Sequence, residues 1–171
     1  MITIILGTGR EGAMSQKVAE FVVEEAKNYG FEIEFIKVKD WLDKPYTGGM
    51  NEEKRNKASE ILKNSQGILI VSPEYNHSFP GELKLFLDEF YEEFNHKPVG
   101  ICGVSSGKLG GARMVESLRL VLIELKMIPL RNAVYFSNVR NFENDKDSYK
   151  EFLKNLFDEL KFYMEKLRSK N

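Results

Sequence analysis

Along the chain of 171 residues, short runs of consecutive apolar residues alternate with longer segments in which apolar residues recur at helical spacing. The first kind reads as buried strands and the second as helices with one apolar stripe. Strands are predicted near residues 2–6, 32–38, 67–72, 99–104 and 133–136. The first, third and fourth are apolar without alternation, as central strands of a parallel sheet are. A first helix is predicted from near Ser15. A second, over residues 51–64, has only Ala58, Ile61 and Leu62 as clear apolar positions. The next three carry the stripes Leu83, Phe86, Leu87 and Phe90; Met114, Leu118, Val121, Leu122 and Leu125; and Leu153, Leu156, Leu160, Met164 and Leu167. Residues 40–50 have no period.

This alternation predicts an α/β fold: a doubly wound, five-stranded parallel sheet of order 2-1-3-4-5 with helices on both faces. The length fits a single domain over residues 1–171, able to bury roughly two-thirds of its unfolded surface, and no repeat or interdomain linker interrupts it. The strand order puts a switch point between strands 1 and 3, and ligands in such sheets bind beyond the carboxyl ends of the strands. The loops there are chemically unusual. After strand 1 stands GTGREGAMSQ, after strand 3 SPEYNHSFPGE, and after strand 4 SSGKLGGAR, whereas strand 5 is followed by an ordinary polar stretch, SNVRNFENDKD.

In the first loop, Gly7, Gly9 and Gly12 allow close backbone approach, Thr8 and Ser15 offer hydroxyls, and Arg10 offers a cationic fork. With the N-terminus of a helix behind it, this set suits a phosphate. A Gly-rich turn in which Ser15 merely caps the helix is the plainer alternative. The Gly-x-Gly-x-x-Gly pattern also resembles a dinucleotide fingerprint, with Lys37 and Lys39 available to a 2′-phosphate. In that motif, however, the helix starts at the third glycine and an acidic residue follows about 20 positions on. Here three residues separate Gly12 from the helical period, and Asp40 comes late.

In the second loop, Pro73 and Pro80 stiffen a segment carrying Glu74, Tyr75, Asn76 and His77, able to hold amides and an aromatic edge against a planar heterocycle, or simply to form a rigid turn. In the third, Ser105, Ser106, Gly107, Gly110 and Gly111 precede a helix, so their N–H groups can meet ring carbonyls or belong to a flexible turn, and Arg113 can cap or pair locally.

Composition narrows the chemistry. A formal net charge of -1 gives no general attraction to nucleic acid or to an anionic membrane, so small molecules are the expected partners. No apolar run approaches the ~18 residues of a membrane span, and the start MITIIL has no basic n-region. The one cysteine, Cys102, sits inside a predicted strand, so a reducing cytoplasm is expected and no intramolecular disulfide is possible. His77 and His96 lack any metal-ligand spacing, and no metal is expected. There is no Gly-x-Ser-x-Gly elbow and no placed nucleophile, so a covalent hydrolase is not indicated. Residues 151–170 read as an amphipathic helix packed on the sheet or, alternatively, binding a partner. Trp41 and Tyr46 are candidates to cover the cleft, to meet a subunit or to form a satellite core cluster.

The segment from Pro73 to Lys84, PEYNHSFPGELK, resembles the Pro-Glu-Tyr-Asn-x-Ser-x-Pro-x-x-Leu-Lys motif of the NADPH-dependent FMN reductase family, which has a flavodoxin-like fold and includes azo-, quinone- and chromate-reducing members. KPVGICGVSSGKLGGAR is similar to that family's fourth strand and its Ser-x-Gly-x-x-Gly-Gly loop. Gly7, Thr8, Arg10 and Ser15 match its phosphate loop, with the gap from Arg10 to Ser15 two residues longer than usual. The resemblance implies bound FMN, with Thr8, Arg10, Ser15, Gln16 and Lys17 around the phosphate. It also implies that Pro73, Glu74, Tyr75 and Asn76 flank the isoalloxazine and that Ser105, Ser106 and Gly107 meet its pyrimidine end. NADPH or NADH would be the co-substrate, hydride passing through the flavin to a small acceptor such as a quinone, free flavin, azo compound or metal oxyanion, with no catalytic side chain required. A homodimer or homotetramer with the cleft near a subunit contact is implied too. The competing reading is a flavodoxin-type electron carrier. Against it stand Arg10, foreign to the Thr/Ser-rich loop of such carriers, and a net charge that lacks their acidic docking surface.

Overall fold

The computed structural model describes residues 1–168. Five parallel strands, β1 (Ile2–Leu6), β2 (Ile33–Lys37), β3 (Ile68–Pro73), β4 (Pro98–Val104) and β5 (Ile128–Phe136), form one sheet in the order β2-β1-β3-β4-β5. The strands predicted to be central are central, and β1, β3 and β4 are buried along their whole length. Helices α1 (Met14–Asn28), α2 (Val38–Trp41), α3 (Glu52–Asn64), α4 (Gly81–Asp88), α5 (Ala112–Glu124), α6 (Phe142–Asp145) and α7 (Lys150–Arg168) follow in chain order. Of the predicted final amphipathic run, residues 169–170 lie outside the described residues.

Strand alternation sends Ile2, Ile4 and Leu6 to one face, where α1 and α7 cover them, and Ile5 to the other, under α3, α4 and α5. Close approach on the first face depends on Gly100: a Cβ there would stand 2.9 Å from Leu156 Cδ1, so α7 rests directly on the backbone of β4. On the second face the predicted stripe Leu83, Phe86, Leu87 and Phe90 is buried, the tilted rings of Phe86 and Phe90 meeting with centroids 5.3 Å apart. Helix α3, weakest by period, buries only Ala58 and Leu62, and its start is held by Asn51, whose side chain accepts from the Glu53 N–H.

Three differences from the sequence expectation have local causes. Strand β5 begins at Ile128, five residues before the predicted start of 133, across a register shift between Val99 and Ile101. Its polar residues are accommodated by distant side chains: the Glu159 carboxylate accepts the N–H groups of Arg131 and Asn132 at 3.0 and 2.9 Å, while Arg119 donates to the carbonyls of Leu130 and Arg131. Residues 38–41 form a short helix that takes in the predicted last residue of strand 2 and the start of the segment with no period; Trp41 packs at the edge of the core, and Tyr46 is exposed with Lys44 over its ring. Third, the polar stretch after β5 is not an open turn. It folds into a 3₁₀ turn (Val139–Asn141) and α6, because Val139 and Phe142 bury themselves against α1 and β5, Phe142 meeting Phe21 and Phe136 edge-on.

Among the described residues no helix is long and apolar enough to cross a membrane, and no group of three or more His, Cys, Asp or Glu is placed to hold a metal ion. Burial in β4 pushes the Cys102 thiol up to about 12, so it is no thiolate nucleophile.

Candidate active site

The hydrogen-bond ladder of the sheet runs on into the loops. Gly7 N–H donates to the Val71 carbonyl (2.8 Å), Glu74 N–H to Val104 (2.9 Å) and Ser105 N–H to Phe136 (3.0 Å). Each loop therefore leaves its strand hooked to the neighbouring strand, and the three chemically unusual loops are brought together at the carboxyl end of the sheet. They wall a cleft of about 340 Å³ lined by Arg10, Gly12, Met14, Ser15, Pro73, Glu74, Tyr75, Val104, Ser105, Ser106, Val139 and Arg140.

In the first loop the glycines divide the work. A Cβ on Gly7 would stand 2.8 Å from Leu83 Cδ2, so Gly7 lets α4 pack against the end of β1, while Gly12, at φ +66°, turns the chain into α1. Helix α1 begins at Met14, a good helix former, so only Ala13 separates it from Gly12 and not three residues. Ala13 is the N-cap and offers no side-chain acceptor. Ser15 therefore does not cap the helix: it lies inside the first turn, 2 % exposed, with its hydroxyl unpartnered at the wall of the cleft. A buried hydroxyl left without a partner costs about 1–3 kcal/mol, which an incoming acceptor oxygen removes.

Of the residues expected around a phosphate, the structure brings Arg10 and Ser15 to the cleft. Thr8 lies beneath it, buried, its hydroxyl donating to Glu82 Oε1 (3.2 Å), accepting from Arg10 N–H (3.2 Å) and meeting the Tyr75 hydroxyl (3.2 Å). Gln16 and Lys17 are not brought in. Successive helical residues turn by about 100°, so with Ser15 facing the cleft its two successors face away. Gln16 pairs with Glu20 (2.9 Å) and Lys17 with Glu143 on α6 (3.6 Å).

The second loop is a built hairpin. Tyr75 and Ser78 exchange backbone hydrogen bonds of 2.8 and 3.0 Å, and Asn76 and His77 at its tip both have positive φ, 50° and 68°, the geometry of a type I′ turn. Asn76 is exposed at that tip and outside the cleft lining, whereas Pro73, Glu74 and Tyr75 are in it. The Glu74 side chain is largely buried and spoken for: Oε1 pairs with Arg113 at 3.2 Å and Oε2 accepts the Met114 N–H at 3.3 Å, capping α5, whose own N-cap is Gly111. Ser78 and Ser117 hydroxyls, 2.9 Å apart, add a second tie to α5.

In the third loop Ser105 and Ser106 line the cleft, and the Ser105 hydroxyl accepts the Gly107 N–H at 3.0 Å, which places Gly107 within the turn and not on the wall. Val139 and Arg140, from the stretch after β5, complete the lining and were not anticipated. Their signal is the three-residue spacing of Val139 and Phe142 beside a strand end, which marks a folded segment. Arg10 and Arg140 make this wall cationic, while the one carboxylate in it, Glu74, is matched by Arg113.

A larger cleft of about 480 Å³, lined by Ser65, Gln66, Asn95 and Lys97 among others, lies at the amino ends of β3, β4 and β5. Lys97 there donates to the last carbonyls of α3, and its partial burial holds its ammonium below the usual range, down to about 8. No strand carboxyl end or helix N-terminus meets it, so the smaller cleft is the better candidate.

The architecture is that of a flavodoxin-like protein, with a cleft at its switch point. Residues 1–141 match the model of the NADPH-dependent FMN reductase family, and the chain belongs to that family, whose cofactor is FMN and whose co-substrate is NAD(P)H. It is 28 % identical over 171 residues to an NADPH azoreductase of Bacillus sp. (strain OY1-2), covering 95 % of this chain and 92 % of the relative. It is also 28 % identical over 167 residues to an NAD(P)H-dependent FMN reductase of Schizosaccharomyces pombe, covering 91 % and 82 %. Among solved structures, FerB from Paracoccus denitrificans, a flavoenzyme NAD(P)H:(acceptor) oxidoreductase, superposes with a TM-score of 0.74 at 18 % identity over 95 % of this chain and 97 % of that one. The chain is an enzyme of the reductase class.

Proposed function

We propose that this protein, acting as one FMN-binding domain, is an NAD(P)H-dependent FMN reductase that delivers reducing equivalents to a small acceptor of the quinone, free flavin, azo or metal oxyanion class. The observation that carries the reading is the buried, unpartnered hydroxyl of Ser15 in the first turn of a helix without a side-chain cap, at the wall of a cleft that Arg10 also lines. An FMN monophosphate satisfies that donor set: Ser15 donates one bond, Arg10 a charge-assisted one, and the first turn of α1 adds its amides and the positive end of its dipole. Bound FMN would supply the hydride-accepting redox chemistry that this chain's side chains lack.

The protein's share is binding and orientation. Pro73, Glu74 and Tyr75, fixed by the hairpin turn, and Ser105 and Ser106, fixed by the ladder, hold the ring end of the cofactor. Met14, Val104 and Val139 exclude water from the cleft walls. The Glu74–Arg113 pairing keeps a bare carboxylate out of a pocket that must accept anionic groups. Self-association into a homodimer or homotetramer belongs to the same reading, and Leu120 and Ile123, 72 % and 60 % exposed on the outer face of α5, support it.

The test is the visible spectrum and flavin content of the purified protein. About one FMN per chain, bleached by NADPH without oxygen, is the expected result, since the cleft has one phosphate-binding corner. FAD or NADP in the extract would overturn it, and a flavin that NAD(P)H leaves oxidised would favour an electron carrier.

A further inference from the structure

The acidic residue at the start of α4 makes contacts that no phosphate pocket needs for its own sake. Glu82 Oε1 accepts the Gly9 N–H at 2.9 Å and the Thr8 hydroxyl at 3.2 Å. A hydroxyl has one proton and two lone pairs. With its proton on Glu82, Thr8 accepts from the Arg10 N–H and from the Tyr75 hydroxyl, so Tyr75 must be the donor in that pair. One carboxylate thus sets the direction of every bond in a chain running Tyr75 to Thr8 to Glu82, and joins the first loop to the second. It also occupies the Thr8 hydroxyl proton and the Gly9 N–H, which leaves Arg10 and Ser15 as the side chains from that loop and its helix free to bind an anion.

The loop needs such a brace. It holds three glycines, Gly7, Gly9 and Gly12, and is longer than the family pattern, and α1 has no side-chain cap to anchor its end. Glycine-rich segments lose the most conformational entropy when ordered, so an unbraced loop presents Arg10 in many positions.

We propose that Glu82 is a positioning residue: by holding the Thr8–Gly9 turn it presents Arg10 and Ser15 to the cofactor's phosphate. The inference rests on the FMN reading above, and a comparison of FMN with riboflavin separates the two, because riboflavin lacks the phosphate and keeps the ring. The experiment measures both dissociation constants by flavin fluorescence for the wild type, Glu82→Ala and Glu82→Gln, with melting temperatures alongside.

In Glu82→Ala the preference for FMN over riboflavin is expected to fall about tenfold, the size of one well-placed hydrogen bond, while riboflavin affinity holds within about threefold. Glu82→Gln, whose amide oxygen still accepts both bonds, is expected to restore the preference to within about threefold of wild type. An unchanged preference in Glu82→Ala overturns the proposal, as does a tightened FMN affinity in both variants, which would make Glu82 a source of like-charge repulsion. Equal losses for FMN and riboflavin would assign Glu82 to general folding and also overturn it. A wild type with no preference for FMN refutes the FMN reading itself.

Discussion

At the scale of single residues, the cleft is defined by which polar groups are already satisfied. Thr8 and Glu74 are close to the site, yet each has its capacity filled by protein partners. Ser15 and Arg10 do not share that fate: the first is buried with an idle hydroxyl, the second exposed at the rim. Arg10→Ala is therefore expected to weaken FMN binding by the loss of a charge-assisted bond, about 1.5–3 kcal/mol, or roughly ten- to a hundredfold. Ser15→Asp is expected to weaken it further by placing like charge beside the phosphate. Flavin fluorescence titration measures both, and unchanged affinity in both variants would put the phosphate elsewhere. Arg10→Ala should leave the melting temperature where it is, since its side chain is on the surface.

At the scale of elements, the loop between Pro73 and Pro80 braces its neighbours on both sides, Glu74 toward α5 and Tyr75 toward the first loop. Arg113 is half-exposed, so its ion pair contributes little, and the capping bond to the Met114 N–H does more. Glu74→Ala is expected to lower stability by about 1–3 kcal/mol in urea unfolding, because it leaves the start of α5 uncapped. Glu74→Gln keeps an acceptor for that N–H and should cost less than half as much. Equal losses in the two variants would assign the brace to the ion pair instead.

For the whole molecule, the consequence of a ladder that hooks three loops to adjacent strands is a rigid cleft, walled by the first, second and third loops and by the segment after β5. NAD(P)H and the acceptor are then expected to use the side left open in turn. Steady-state rates should give parallel double-reciprocal lines, with each substrate inhibiting competitively at high concentration. Intersecting lines, with both substrates required together, would rule out a shared opening while leaving a reductase intact.

The order of strands, the central place of β1, β3 and β4, and the convergence of the three unusual loops were determined by the sequence alone. Apolar runs and helical stripes are local, and right-handed crossovers leave few topologies for them. The motif from Pro73 to Lys84 was the most specific of the three segments that carried the family resemblance. Side-chain direction and long-range pairing were decided only by tertiary structure. Helical rotation turned Gln16 and Lys17 away from the cleft and left Ser15 in it. The early start of β5 depends on Glu159 and Arg119, which lie on the helices α7 and α5 and not in the strand whose backbone groups they satisfy. Val139 and Arg140 reach the cleft because Phe142 anchors their segment against α1 and β5. Each of these outcomes depends on which groups meet across the fold, and a hydrogen bond or a buried ring finds its partner only once the chain has brought the two together.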